Sequence, residues 1–173
     1  RVAWITGGAT GIGLATARAL GAAGWAVVLS GRRAEELRKA AASLAGAKGG
    51  TQPLDVSDAT AVEKAAAAIV AEHGRIDALV ASAGTNVPDR AWGKLRPEGF
   101  AKVAAINLNG VANCAIAALP AMRQAGAGTI VVVSSWAGWR YLPFAGAAYG
   151  ASKMGLAPLV ESLNYEESRN GIR

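Results

Sequence analysis

The stretch Trp4-Ile5-Thr6-Gly7-Gly8-Ala9-Thr10-Gly11-Ile12-Gly13 constrains this chain more than any other. It follows the apolar run Val2 to Ile5 and leads into an alanine- and leucine-rich segment of helical period. A strand that breaks into glycines and then into a helix makes a socket for phosphate. Unpaired N–H groups and the helix dipole both direct positive charge at the turn. Gly7 permits the tight turn, Gly11 lets a pyrophosphate approach the backbone beside Thr10 and Ile12, and Gly13 lets helix and strand pack closely. The spacing is T-G-x-x-x-G-x-G, not the commoner G-x-G-x-x-G.

Beyond this turn the pattern is alternation. Strands are expected at Val2 to Ile5, Ala26 to Ser30, Gln52 to Val56, Ile76 to Ala81 and Thr129 to Ser134. Helices are expected from Ile12 to Ala23, Ala34 to Ala45 (ended by Gly46), Asp58 to His73, Pro97 to Ala118, and Tyr149 to Arg169. Leu119-Pro120-Ala121-Met122 should close the fourth helix, and Pro158 should kink the fifth. The strands read as apolar on both faces, so both faces are covered. The implied fold class is α/β: a single-domain, doubly wound parallel sheet of Rossmann type with helices on both faces. Asn170-Gly171 reads as a turn and Ile172 as the start of a further strand, so a C-terminal portion is expected beyond this sequence. Arg1 similarly begins at the first strand with almost no lead-in.

The 173 residues suffice for one substantial core. No apolar run approaches the roughly 20 residues of a membrane span, and no charged-then-apolar leader opens the chain. Cys114 is the only cysteine, which excludes an internal disulfide and a cysteine-built zinc site. No metal site is expected, and a cytoplasmic protein is the plain reading. The net charge of +6 is scattered, with no aromatic-and-basic platform, so neither nucleic acid nor membrane is an expected partner.

Two further groups carry chemistry. The second strand ends Ser30-Gly31-Arg32-Arg33, without the carboxylate that usually binds an adenosine ribose. Guanidinium groups there would pair with a 2′-phosphate, which favours NADP(H) and leaves NAD(H) possible. Either arginine could instead simply solvate the next helix. Tyr149 and Lys153, four apart in Tyr149-Gly150-Ala151-Ser152-Lys153, share one helix face. A free phenol, with a pKa of about 10, is a poor base near neutrality. A neighbouring ammonium and an oxidised nicotinamide, in a site sheltered from water, would favour its phenolate.

Together Thr6-Gly7-x-x-x-Gly11-Ile12-Gly13, Asn107, Ser134-Ser135 and Tyr149-x-x-x-Lys153 resemble, in order and spacing, the compact branch of the short-chain dehydrogenase/reductase family. The resemblance implies Tyr149 as general acid/base and Lys153 as the group that lowers its pKa and binds the nicotinamide ribose. It implies one of Ser134 and Ser135 as the hydroxyl holding the substrate oxygen, the other simply ending the strand, and Asn107 as the anchor of a water for proton relay. Ser135 is chosen because its spacing to Tyr149 is nearer the family's. Asp55 with Val56 would meet the adenine, Asp55 having a helix N-cap as its bland alternative. Ser82, Ala83 and Gly84 would lie against the cofactor. The implied partners are a small carbonyl or alcohol substrate and identical subunits, as a dimer or tetramer through the Pro97–Ala118 and Tyr149–Arg169 helices.

Three features depart from the family pattern. Its N-N-A-G is Ala81-Ser82-Ala83-Gly84 here, where Ser82 can still make one hydrogen bond. The loop from Ser135 to Tyr149 is one residue longer than is common. A Pro-Gly turn and lid after a sixth strand are missing. Trp136, Trp139, Tyr141 and Phe144 crowd that loop, either lining an apolar substrate pocket or packing on a helix or a neighbouring subunit. Two other functions use this fold: a non-catalytic NADP(H) sensor, and an isomerase or dehydratase of the extended branch.

Overall fold

The computed structural model describes residues 1–44 and 48–173. The expected ends of the second helix, Ala45 and Gly46, lie outside the described residues. Five parallel strands form one sheet in the order β3-β2-β1-β4-β5. They are β1 (Val2–Thr6), β2 (Ala26–Gly31), β3 (Gly49–Pro53), β4 (Ala78–Ala81) and β5 (Thr129–Val132). Chain order reverses between β1 and β4, so a crevice opens beyond their carboxyl ends, the place where open α/β sheets hold ligands.

Alternate residues of β1 show why both faces are covered. Val2 and Trp4 join a core with α3 (Ala59–His73) and the helix that follows β4. Ala3 and Ile5 join a second core with α1 (Gly11–Ala22) and α2 (Ala34–Ala42). Trp4 is fully buried, and its indole N–H donates to Ser30 Oγ at 2.8 Å, so its one polar atom is satisfied. Asp58 caps α3 by accepting from the Ala61 N–H at 3.0 Å, worth about 1 kcal/mol. Gly74, with φ 77°, ends that helix.

Several elements differ from the sequence expectation, each for a local reason. The third strand lies earlier than Gln52 to Val56 and is not apolar. It occupies a sheet edge, where polar, half-exposed residues suffice. Gly49 fixes its register: φ is 145°, and a Cβ would fall 2.0 Å from the Val27 carbonyl oxygen. Leu54 and Val56, whose apolar character suggested the strand, are buried beyond its end.

The fourth helix is not closed by Pro120. α4 (Pro97–Ala104) passes through a π-helical turn (Ala105–Asn109) into α5 (Gly110–Ala125), which ends at left-handed Gly126. A proline inside a helix costs about 3 kcal/mol. Burial of Leu119 and Met122 on either side of it returns about 1.5–3 kcal/mol each, so the helix continues. By length and composition alone the Pro97–Ala125 span could cross a membrane, but half of its most apolar window is buried within the domain.

The fifth helix divides at Gly155 into α6 (Ala147–Met154) and α7 (Leu156–Glu167). Pro158 has no N–H to offer the carbonyl four residues back, so the ladder breaks there. β5 is two residues shorter than expected and borders the sheet, with Val131 half-exposed. Along its outer edge Ile172 bridges to Gly128 in parallel, and the Ile130 N–H donates to the Arg173 carbonyl at 2.7 Å.

Candidate active site

The glycine turn folds as its residues dictate. Gly7 and Gly11 have φ of 65° and 55°, left-handed values that glycine adopts without strain. A Cβ on Gly13 would lie 2.5 Å from the Gly7 carbonyl oxygen, so this glycine allows α1 to start directly against the turn. A Cβ on Gly7 would lie 2.9 Å from the Ala83 nitrogen, which brings the end of β4 beneath the turn. Thr6 reinforces that contact by accepting the Ala83 N–H at 3.2 Å. Nothing lies within 4 Å of a Cβ placed on Gly11. Thr10 stands at the N-cap without a side-chain capping bond, so its side chain satisfies none of the first N–H groups of α1.

A cleft of about 140 Å³ runs from this turn along the carboxyl ends of β1, β2, β3 and β4. Of the expected cofactor residues, Gly7, Thr10, Arg32, Arg33, Asp55, Val56, Ala83 and Gly84 line it. Gly11, Gly13, Ser82, Tyr149 and Lys153 do not form its wall. The Ile12 side chain is 62% exposed and faces a groove on the other side of α1, so only its backbone belongs to the turn. Ser82 makes no side-chain hydrogen bond among the described residues. Ala9, Gly31, Leu54, Thr85 and Ile106 complete the wall. Sequence reasoning passed over them because small and apolar residues beside a glycine turn carry no chemical signal of their own.

The two ends of the cleft differ in chemistry. At one end Arg32 and Arg33 are exposed and form no ion pair with a carboxylate among the described residues. Asp55 is not a helix cap, a role Asp58 fills. Its carboxylate accepts from the Ser57 hydroxyl at 2.7 Å and the Ser57 N–H at 3.0 Å. Those two bonds, helped by the positive charge of Arg32 and Lys102, hold its acid below the usual carboxylate range.

At the other end, a Cβ on Gly84 would lie 3.5 Å from Asn107 Oδ1 and 3.9 Å from Lys153 Nζ. Asn107 is wholly buried in the π turn. It accepts the Thr85 N–H at 2.7 Å and donates to the Thr85 carbonyl at 2.9 Å and to Ser152 Oγ at 3.2 Å. Its side chain therefore staples the loop after β4 to α6. Lys153 is buried, and its ammonium donates to the Val133 carbonyl just beyond β5 at 2.7 Å. Burial lowers its pKa, since desolvation disfavours the charged form. Lys153 Nζ lies 5.9 Å from the centre of the half-buried Tyr149 ring, as residues four apart on α6 require.

Ser135 caps the short turn Trp136–Gly138 by accepting the Ala137 N–H at 3.2 Å, and is half-buried, whereas Ser134 is exposed. That turn packs on α6: a Cβ on Gly138 would lie 2.9 Å from the Lys153 carbonyl oxygen and 2.9 Å from Ser134 Oγ. Sheet order and these close approaches gather Asn107, Ser135, Tyr149 and Lys153 around the carboxyl ends of β4 and β5.

Comparison with known proteins agrees with this architecture. Residues 1–173 match the short chain dehydrogenase family throughout. The chain is 39% identical to the cis-4-hydroxycyclohexanecarboxylate dehydrogenase of Sinomonas cyclohexanicum, covering all of this chain and 70% of that one. It is 32% identical to an uncharacterised oxidoreductase of Listeria monocytogenes, covering 99% of this chain and 69% of that one. A metagenomic short-chain oxidoreductase solved in complex with NADP superposes with a TM-score of 0.94 at 36% identity, covering 100% of this chain and 78% of that one. The chain belongs to the short-chain dehydrogenase/reductase family, a family of NAD(P)-dependent oxidoreductases. It spans about 70% of the length of the two relatives named.

Proposed function

We propose that the protein catalyses reversible hydride transfer between NADP(H) and a carbonyl or secondary alcohol. The observation that carries this is the placement of Tyr149 and Lys153. They share one face of α6, and the ammonium reaches Gly84 at the end of a cleft that starts at the glycine turn. The residues fit a dinucleotide: open space adjoins Gly11 in the glycine turn, and two guanidinium groups that pair with no carboxylate among the described residues stand at the far end. Gly7, Thr10, Gly11, Ile12 and Gly13 would hold the pyrophosphate, Asp55 and Val56 the adenine, and Ala83 and Gly84 the adjoining ribose. Arg32 and Arg33 would pair with a 2′-phosphate, which is why NADP(H) is preferred over NAD(H). When bound, the nicotinamide supplies or accepts the hydride.

In the reducing direction Tyr149 Oη gives its proton to the substrate oxygen, and in the oxidising direction it takes that proton back. The Ser135 hydroxyl, its oxygen fixed by the Ala137 N–H, donates its own proton to the oxygen as negative charge develops. Lys153, held by Val133, keeps positive charge beside the phenol and favours its ionised form. Asn107 spends its side chain on Thr85 and Ser152, so its contribution is to hold α6 against the cleft. Any role in anchoring a water falls to its backbone. Tyr149→Phe tests the assignment. It should abolish turnover and leave the NADP⁺ dissociation constant within about twofold, since the phenol acts in the transition state. Retained turnover would remove Tyr149 from its role.

We also infer a homodimer or homotetramer built through α4–α5 and α7. Phe100, Ile116 and Tyr165 are 37%, 67% and 88% exposed on those helices, and sedimentation would measure the assembly.

A further inference from the structure

Five of the ten aromatic residues stand on two loops beside α6, and each is between 72% and 82% exposed: Trp92, Trp136, Trp139, Tyr141 and Phe144. Large aromatic side chains contribute most of their energy when covered, so such a concentration in the open marks a contact surface. Its place in the fold indicates what the contact is. Trp136 directly follows Ser135, and Trp139, Tyr141 and Phe144 occupy the segment that leads from Ser135 to Tyr149. Trp92 stands on the other loop, between β4 and α4.

The two loops are fastened together. Asn86 Nδ2 donates to the Ala145 carbonyl at 2.9 Å. Gly146, with φ 79°, lies so close to Arg90 that a Cβ would fall 2.6 Å from the Arg90 Cβ. That junction immediately precedes α6 and its Tyr149. The Arg140 guanidinium lies 6.0 Å from the centre of the Trp136 ring, bracing that indole from the same loop. The aromatic faces are therefore carried by joined segments, one of them running from the proposed oxygen-holding serine to the proposed acid. A subunit interface on the outer helix faces would have no reason to sit there.

We propose that these aromatics select a ring-bearing substrate: an alicyclic or aromatic ketone or secondary alcohol whose ring lies against the indole and phenyl faces while its oxygen reaches Tyr149 and Ser135. Flat faces stack on rings with favourable offset geometry, whereas a flexible alkyl chain would lose rotamer freedom to make the same contact. The inference rests on the hydride-transfer reading of the same site.

The test compares benzylacetone with a straight-chain methyl ketone of equal carbon number, using NADPH and the wild type, Trp136→Ala and Trp139→Ala. Both tryptophans are exposed, so neither substitution removes core. The wild type should favour the ring ketone in kcat/KM by about tenfold or more, and either variant should bring the ratio most of the way to one. Equal wild-type values, or a ratio unchanged in both variants, would overturn the substrate class and leave the hydride-transfer reading standing. Variants that dissociate an oligomer with the ratio intact would assign the aromatics to an interface and likewise overturn it. Turnover of neither ketone by protein that binds NADPH would overturn both.

Discussion

Asn113 Nδ2 donates to the Val56 carbonyl at 2.9 Å, tying the wall of the cleft beyond β3 to helix α5. One turn earlier on the same helix, a Cβ on Gly110 would lie 2.5 Å from Val56 Cγ2. One helix face thus fixes Val56 by a hydrogen bond and by a close packing that only glycine allows. Asn113→Ala should raise the NADP⁺ dissociation constant about tenfold, since an unsatisfied carbonyl would loosen this wall, with kcat at saturating nucleotide within about twofold. Calorimetric titration measures the first and steady-state rates the second. Equal affinity in the variant would show that Val56 holds its position without Asn113.

Arg32 and Arg33 make the cofactor preference testable. Arg32→Asp would place a carboxylate near Asp55 at the proposed 2′-phosphate position, where like charges repel. The NADPH/NADH ratio of kcat/KM should fall at least about 100-fold, as expected when a charge-assisted pair becomes a repulsion. An unchanged ratio would remove Arg32 from nucleotide recognition.

Acid stability has a specific contributor away from the cleft. Glu167 on α7 accepts from Arg123 on α5, with Nε to Oε2 at 3.0 Å, and from Asn170 Nδ2 at 2.8 Å. Chiefly through Arg123, its acid is lowered from an ordinary 4.5 to about 2. Because the folded value lies below the unfolded one, this pair stabilises the fold fully above about pH 4.5 and loses that effect as pH falls toward about 2. Arg123→Met should move the Glu167 titration, followed by carboxyl NMR, up toward its ordinary value and flatten the acid limb of the stability curve. An unmoved titration would place the cause elsewhere.

The parts of this molecule that the sequence made legible are those where residue type and periodicity agree. Gly7, Gly11 and Gly13 each occupy a position where a side chain would strain or clash, or where open space adjoins the backbone. Tyr149 and Lys153 were legible because a four-residue spacing on a helix leaves little geometric choice. The register of β3 was hidden because edge strands need no apolar pattern, and Leu54 and Val56 imitate one from the loop that follows. Nothing local announces the π turn around Asn107, whose partners Thr85 and Ser152 lie 22 and 45 residues away. Pro120 misled because a propensity of about 3 kcal/mol was outweighed by burial visible only in three dimensions. Asn113 was missed for a related reason: its acceptor is a backbone carbonyl that sequence cannot place nearby.

Isotope transfer tests the central claim most directly. Protein mixed with a carbonyl substrate and NADPH carrying deuterium at its transferable position should yield alcohol with the label on the carbinol carbon. Tyr149→Phe, although still binding the nucleotide, should yield none. Label in the product of the variant, or wild-type protein that binds NADPH yet passes no deuterium to any carbonyl, would contradict the account.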